Sequence, residues 1–157
     1  GATAYNVALG YSAGANVSTA IRSTLVGGNA GSSITTGQEN TFIGYTAGAS
    51  TTIGNKNVAI GGEALVTNVA ADCNVAVGLE ALKAMTSAVT ADTYNTAVGY
   101  RAGLSVTSGI RNTFIGAGAG KAETEQEDNI YIGYNAGFGQ VGSGGSDHNV
   151  VKIQQHN

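Results

Sequence analysis

The chain reads as an all-β repeat protein, a β-solenoid or β-roll of eight coils of about 17 residues, and three observations predict it. A nine-residue box built on Asn-x-x-x-Gly recurs eight times, starting at residues 6, 23, 40, 57, 74, 95, 112 and 129. Every step is 17 residues except one of 21, between the boxes at Asn74 and Asn95. Of the 157 residues, 25 are Gly and none is Pro, and 14 of the glycines fall in two columns of the box. Without a period such a composition would mean disorder. With one it means a narrow, ordered rod, and the absence of Pro leaves backbone N–H groups free for ladders between coils.

In chain order the boxes are NVALGYSAG (6–14), STLVGGNAG (23–31), NTFIGYTAG (40–48) and NVAIGGEAL (57–65), then NVAVGLEAL (74–82), NTAVGYRAG (95–103), NTFIGAGAG (112–120) and NIYIGYNAG (129–137). The repeat domain is thus set at 1–137, followed at 138–157 by a Gly-rich connector and a decayed ninth box starting at Asn149. The first column is Asn in seven boxes, a side chain that bonds local backbone or stacks with its own copies. The fourth column is always Leu, Val or Ile, so a short strand is expected there with that side chain buried. The fifth is always Gly (Gly10, Gly27, Gly44, Gly61, Gly78, Gly99, Gly116 and Gly133), implying positive φ or a close backbone approach. The eighth is always Ala, which fits a narrow interior, and the ninth is Gly or, twice, Leu. Only the seventh column carries charge within the boxes (Glu63, Glu80, Arg101), so the connectors should face water. Helix is disfavoured by the repeated Gly at about 1 kcal/mol each. The exception is Glu80 to Thr86 (EALKAMT), where the insertion within 83–94 begins and helical propensity rises.

Composition excludes several function classes. A net charge of −3 with seven scattered Lys and Arg offers no basic footprint for nucleic acid. One Cys excludes a disulfide framework, and no apolar run approaches a membrane-spanning length. No cofactor is expected. So small a coil encloses few side chains, and the core looks marginal against the ordering entropy of a Gly-rich backbone. The third column (Ala8, Leu25, Phe42, Ala59, Ala76, Ala97, Phe114, Tyr131) and connector residues Val17, Ile34, Met85 and Val106 are then left to be buried elsewhere. A second copy of the stripe is the natural partner, so an obligate homo-oligomer is expected.

The boxes NTFIGYTAG and NTAVGYRAG resemble the repeats of phage tail-fibre and tail-spike proteins. They are also similar to the Asn-x-x-Ala-Ile-Gly boxes in the heads of trimeric autotransporter adhesins. The resemblance covers residues 6–137 and implies a parallel homotrimeric β-helical fibre with a host-attachment role. It implies a virion tail or, alternatively, a bacterial cell surface, with a cell-surface glycan or protein as receptor. Adhesin heads have shorter repeats than 17 residues, and no coiled-coil stalk or membrane anchor is visible here, which favours the phage-fibre reading or a segment of a longer protein.

Candidate chemistry is sparse, and no catalytic residue is assigned. Tyr11, Tyr45, Tyr100 and Tyr134 share the sixth column and are the candidate ligand-binding residues. An outward ladder of rings can stack on sugars, or pack between protomers; exchange by Leu, Gly and Ala favours packing. His148 and His156 are metal candidates only where copies meet at an axis, and solvated tail residues are the plainer expectation. The acidic run Glu123 to Asp128 puts Glu123, Glu125 and Glu127 on one side of an extended segment, without a calcium-loop pattern. Glu63 and Glu80 stand in one column a coil apart, where as bare neighbours they would repel. A groove between them would point to a trimeric β-helical polysaccharide-degrading enzyme. Gly116 to Lys121 (GAGAGK) resembles a phosphate loop without its spacing, and Cys73 is expected as a free, partly buried thiol. Thr24, Thr41, Thr96 and Thr113 alternate with Val and Ile in the second column, a broken version of the Thr rank that ice binding uses.

Overall fold

The computed structural model describes residues 4–86, 91–138 and 150–154. Among these there is no helix, and the chain winds into a β-solenoid of about eight turns, as the period predicts. Each coil contributes one three-residue strand, from columns two to four of its box. These are β1 (Val7–Leu9), β2 (Thr24–Val26), β3 (Thr41–Ile43), β4 (Val58–Ile60), β6 (Val75–Val77), β8 (Thr96–Val98), β9 (Thr113–Ile115) and β10 (Ile130–Ile132), with β11 (Val151–Ile153) closing the end. They form one parallel sheet in the order β1-β2-β3-β4-β6-β8-β9-β10-β11. Like columns pair throughout, Phe42 with Ala59 and Ile43 with Ile60 for example. A second, two-stranded sheet pairs β5 (Ala71–Asp72) with β7 (Ala91–Asp92) beside the insertion.

The strands alternate in the opposite sense to the expectation. The third column points inward and is fully buried from Leu25 to Phe114, with Tyr131 only 2% exposed. The fourth column faces out: Leu9 is 67%, Ile43 37% and Ile115 40% exposed. A strand of three residues can send one side chain inward and two outward. The middle one goes in. The twelfth residue of each coil joins it, so Ile34, Met85 and Val106 are core residues and Val17 packs against the core. The eighth-column alanines line the same interior. The core is therefore continuous and better filled than the sequence reading allowed.

Two glycine columns make the coil possible. Gly44 has φ +138°, and a Cβ there would stand 2.6 Å from the Gly61 carbonyl oxygen of the next coil. Gly48 has φ +57°, and its Cβ would stand 2.5 Å from Cδ2 of Phe42, inside the core. In two of the four coils whose third column is Ala, the ninth is Leu: Ala59 with Leu65 and Ala76 with Leu82, whereas Ala8 and Ala97 keep Gly14 and Gly103. Leu65 and Leu82 keep the positive φ of the glycines they replace, 50° and 47°. Large and small thus trade places between two columns in the fourth and fifth coils, while beside Ala97 the space at Gly103 is taken by Leu82 and Phe114 of the neighbouring coils.

The first-column Asn side chains form a buried ladder. Asn57 Nδ2 donates to the Ala71 carbonyl across its own coil at 2.8 Å, and its Oδ1 accepts from the Asn74 backbone N–H at 3.0 Å. The same two bonds recur at Asn6, Asn40, Asn95 and Asn112. Ser23 takes the Asn place in the second coil and accepts from Asn40 N–H through its hydroxyl at 3.3 Å. Five buried or part-buried amides are thereby satisfied within and between coils, while Asn129 Nδ2 has no partner among the described residues.

Two further expectations are corrected. Glu80 to Thr86 forms no helix: Glu80 and Leu82 have φ of 58° and 47°, and the segment repeats the turns of the other coils. Packing of Leu82 into the core overrides local propensity. The ninth box begins one residue later than expected, because Val150 N–H donates to Asn129 Oδ1 and Val151 pairs with Ile130. Asn149 itself lies outside the described residues. The register puts Lys152 in the third column and Gln154 where the glycine would stand.

Candidate functional site

The chain leaves each strand through the fifth-column glycine and turns a corner, which places the sixth residue on the outside. Tyr11, Tyr45, Tyr100 and Tyr134 are accordingly exposed, at 82, 65, 47 and 59%. Leu79 occupies the same column at 51%. The column borders the outward strand face, so tyrosines and fourth-column aliphatics make one broad apolar side. Rings lean back over small neighbours, Tyr45 lying in van der Waals range of where a Gly28 Cβ would be, at 3.4 Å. The guanidinium of Arg101 lies 4.9 Å from the centre of the Tyr100 ring.

Beside the tyrosines runs a line of ion pairs. Lys83 Nζ bridges Glu63 at 2.6 Å and Glu80 at 2.7 Å, and Arg101 Nε reaches Glu80 at 2.5 Å. The two acids are therefore not bare, repelling neighbours. Hydrogen bonds from Lys83 and then Arg101 hold the Glu80 carboxyl below its usual range. A general acid for glycoside hydrolysis needs the opposite shift. This pair lacks it. Arg22 pairs with Glu39, and Arg111 with Glu127 and Asp128, at the corner before the strand.

The remaining candidates are scattered by the fold. The acidic run does not gather, since Glu123 turns inward at 2% exposure while Glu125 faces out and Glu127 and Asp128 pair with Arg111. Gly116 to Lys121 is an ordinary coil corner in which the Gly116, Gly118, Ala119, Gly120 and Lys121 amides are already engaged. Gly118 N–H donates to the Tyr100 carbonyl at 2.8 Å and Gly120 N–H to the Ala136 carbonyl at 2.9 Å, so no amide cradle for phosphate remains. Cys73 is a free, half-buried thiol, with Sγ 3.4 Å from Asp92 Oδ1; burial and then Asp92 push its pKa up. Asp92 also accepts from the Tyr94 hydroxyl at 2.6 Å. His148 and His156 lie outside the described residues, as does most of the 138–148 connector. Among the described residues no cluster of His, Cys, Asp and Glu could hold a metal, and no helix is long and apolar enough to cross a membrane.

One concave feature went unread in the sequence. Between Tyr100 and Tyr134 the seventh coil carries Ala117, and an open cleft of about 460 Å³ lies there, edged by Lys121, Asn135 and Phe138. The signal was available as the one sixth-column Ala, followed at the tenth position by Lys121. With protein families, curated proteins and solved structures compared in turn, nothing matches the chain.

Proposed function

We propose that the chain is a structural fibre segment, assembled as a parallel homotrimer, that presents its corners to a cell-surface glycan or protein receptor, as in a phage tail fibre. A bacterial adhesin head is the variant of the same class. One observation carries the reading: an unbroken apolar rank runs the length of the sheet on its outer side. With strands about 4.8 Å apart and three residues wide, the outer sheet face covers on the order of 400 Å², shared between this rank and the mixed Thr and Val rank of the second column. A continuous apolar rank along a flat sheet face supports an interaction surface there. One strip per protomer facing a common axis would bury all three. The filled core means that a single coil stack can hold itself together, so the case for assembly rests on the strand face instead.

The mechanism is mechanical and multivalent. Ladders between coils stiffen the rod, and three copies of each exposed corner turn weak contacts into avidity. Sedimentation equilibrium tests it. A species of three times the 15.6 kDa protomer mass is expected, and a folded monomer would overturn the assembly. A monomer would also favour a second reading, ice binding. Thr24, Thr41, Thr96 and Thr113 lie outward in one rank with Val58 and Val75, which have the same shape. Thermal hysteresis measured on that monomer decides it.

A further inference from the structure

The cleft at the seventh coil has a size and a charge that specify a ligand. Tyr100 and Tyr134 attach two coils apart, about 9.6 Å at the usual strand spacing. A ring stacked between two aromatic faces at ordinary contact of about 3.5–4.0 Å per side needs about 7–8 Å. The spacing of the two attachment points is therefore wide enough for one ring. The cleft lining includes three aromatic residues, Tyr100, Tyr134 and Phe138, the last 64% exposed, together with the small Ala117. A pyranose offers such walls its C–H faces and offers Asn135 its hydroxyls.

Charge narrows the class further. Two cations edge the cleft, and Arg101 is already paired with Glu80 of the preceding coil. Lys121 makes no ion pair among the described residues, and its ammonium sits 4.1 Å from the centre of the Phe138 ring. A phosphate would want several donors, and the Gly118, Lys121 and Asn135 amides are already engaged with backbone carbonyls. A single ammonium at the edge of an aromatic slot suits one carboxylate. We propose that this cleft binds a carboxylated pyranose, a uronic or sialic acid unit of a surface polysaccharide. The ring lies between Tyr100 and Tyr134 and the carboxylate meets Lys121. The inference rests on the receptor-binding reading above and names the class of its receptor.

The test titrates the intact protein calorimetrically with tetragalacturonate and with sialyllactose, each beside its neutral counterpart, the methyl ester and lactose. At least one acid is expected to bind roughly tenfold tighter than its neutral form. Lys121→Met should reduce that acid to the level of the neutral sugar. Ala117→Tyr should abolish binding of both, while leaving circular dichroism and melting unchanged, because four other coils carry Tyr in that column. Equal binding of acid and neutral sugars, or undiminished binding by Ala117→Tyr, overturns the proposal. A glycan array run on the wild type and Ala117→Tyr separates the two levels. Array binding that survives in the variant refutes the cleft and leaves receptor binding standing. No heat and no array signal from the wild type overturns both, and sedimentation alone then decides the fibre.

Discussion

At the residue scale, Asn57 shows why one residue type occupies the first column almost throughout. Its amide gives a donor to its own coil and an acceptor to the next, both fully buried. Neither Ser nor Asp supplies both at that reach. Asn57→Ala would orphan the Asn74 N–H, while the Ala71 carbonyl keeps a second donor in Asn68 Nδ2 at 3.1 Å. The expected loss in urea unfolding is about 1–3 kcal/mol. Asn57→Asp keeps the acceptor but sets a carboxylate against a carbonyl in a dry site, so at pH 8 it should cost more than Ala. Burial raises the pKa of the introduced carboxyl above its unfolded value of about 3.9, so the charged form is the destabilising one. The gap from wild type should therefore be smallest below about pH 4 and widen as pH rises. A gap that does not change with pH would show that the amide donation is dispensable. The sequence announced a backbone-bonding or stacking role for this column. That five of the asparagines do both at once needed the fold, because the partner carbonyl lies 14 residues on.

At the scale of the coil, the third and ninth columns behave as one unit of volume. Phe42 closes over Gly48, and Leu65 fills the space above Ala59. Phe42→Ala alone should cost about 3–5 kcal/mol, as a buried ring lost to a cavity. Gly48→Leu alone should cost about 1–3 kcal/mol or more, by overpacking against the Phe42 ring. The double variant rewrites the third coil in the pattern of the fourth, and should be more stable than the sum by about 1–3 kcal/mol. Strict additivity in a denaturant-unfolding cycle would refute the shared volume. The same coupling explains why the inward column was misassigned. A three-residue strand is too short to display alternation, and both the third and fourth columns are apolar. β-Branching in seven of eight fourth-column residues reflects strand preference on an outer face, whereas the varied sizes in the third, matched at the ninth in the fourth and fifth coils, are the signature of a packed interior. The cleft was illegible for a related reason. It is made by a missing ring between two coils, which no single box contains.

At the scale of the molecule, a filled core and an uncovered apolar side are opposed properties of one rod, and they can be separated by charge. Ile60 sits mid-rod in the fourth column, 37% exposed and paired in register with Ile43 and Val77. Ile60→Glu removes little from the coil that holds it, since the side chain already reaches solvent in the single chain. The cost to protomer stability should stay near about 1 kcal/mol, the span of strand preference. In a homotrimer built on this face, three such carboxylates would converge in a desolvated seam, where an unpaired charge costs several kcal/mol. Sedimentation should then report a monomer whose circular dichroism matches the wild type. Thr36→Glu, at an exposed connector position away from the sheet, should leave the assembly intact. If Ile60→Glu remains trimeric, the copies meet through another side of the rod. The tyrosine corner would then be the next surface to charge, and the cleft beside it could not be open in the fibre.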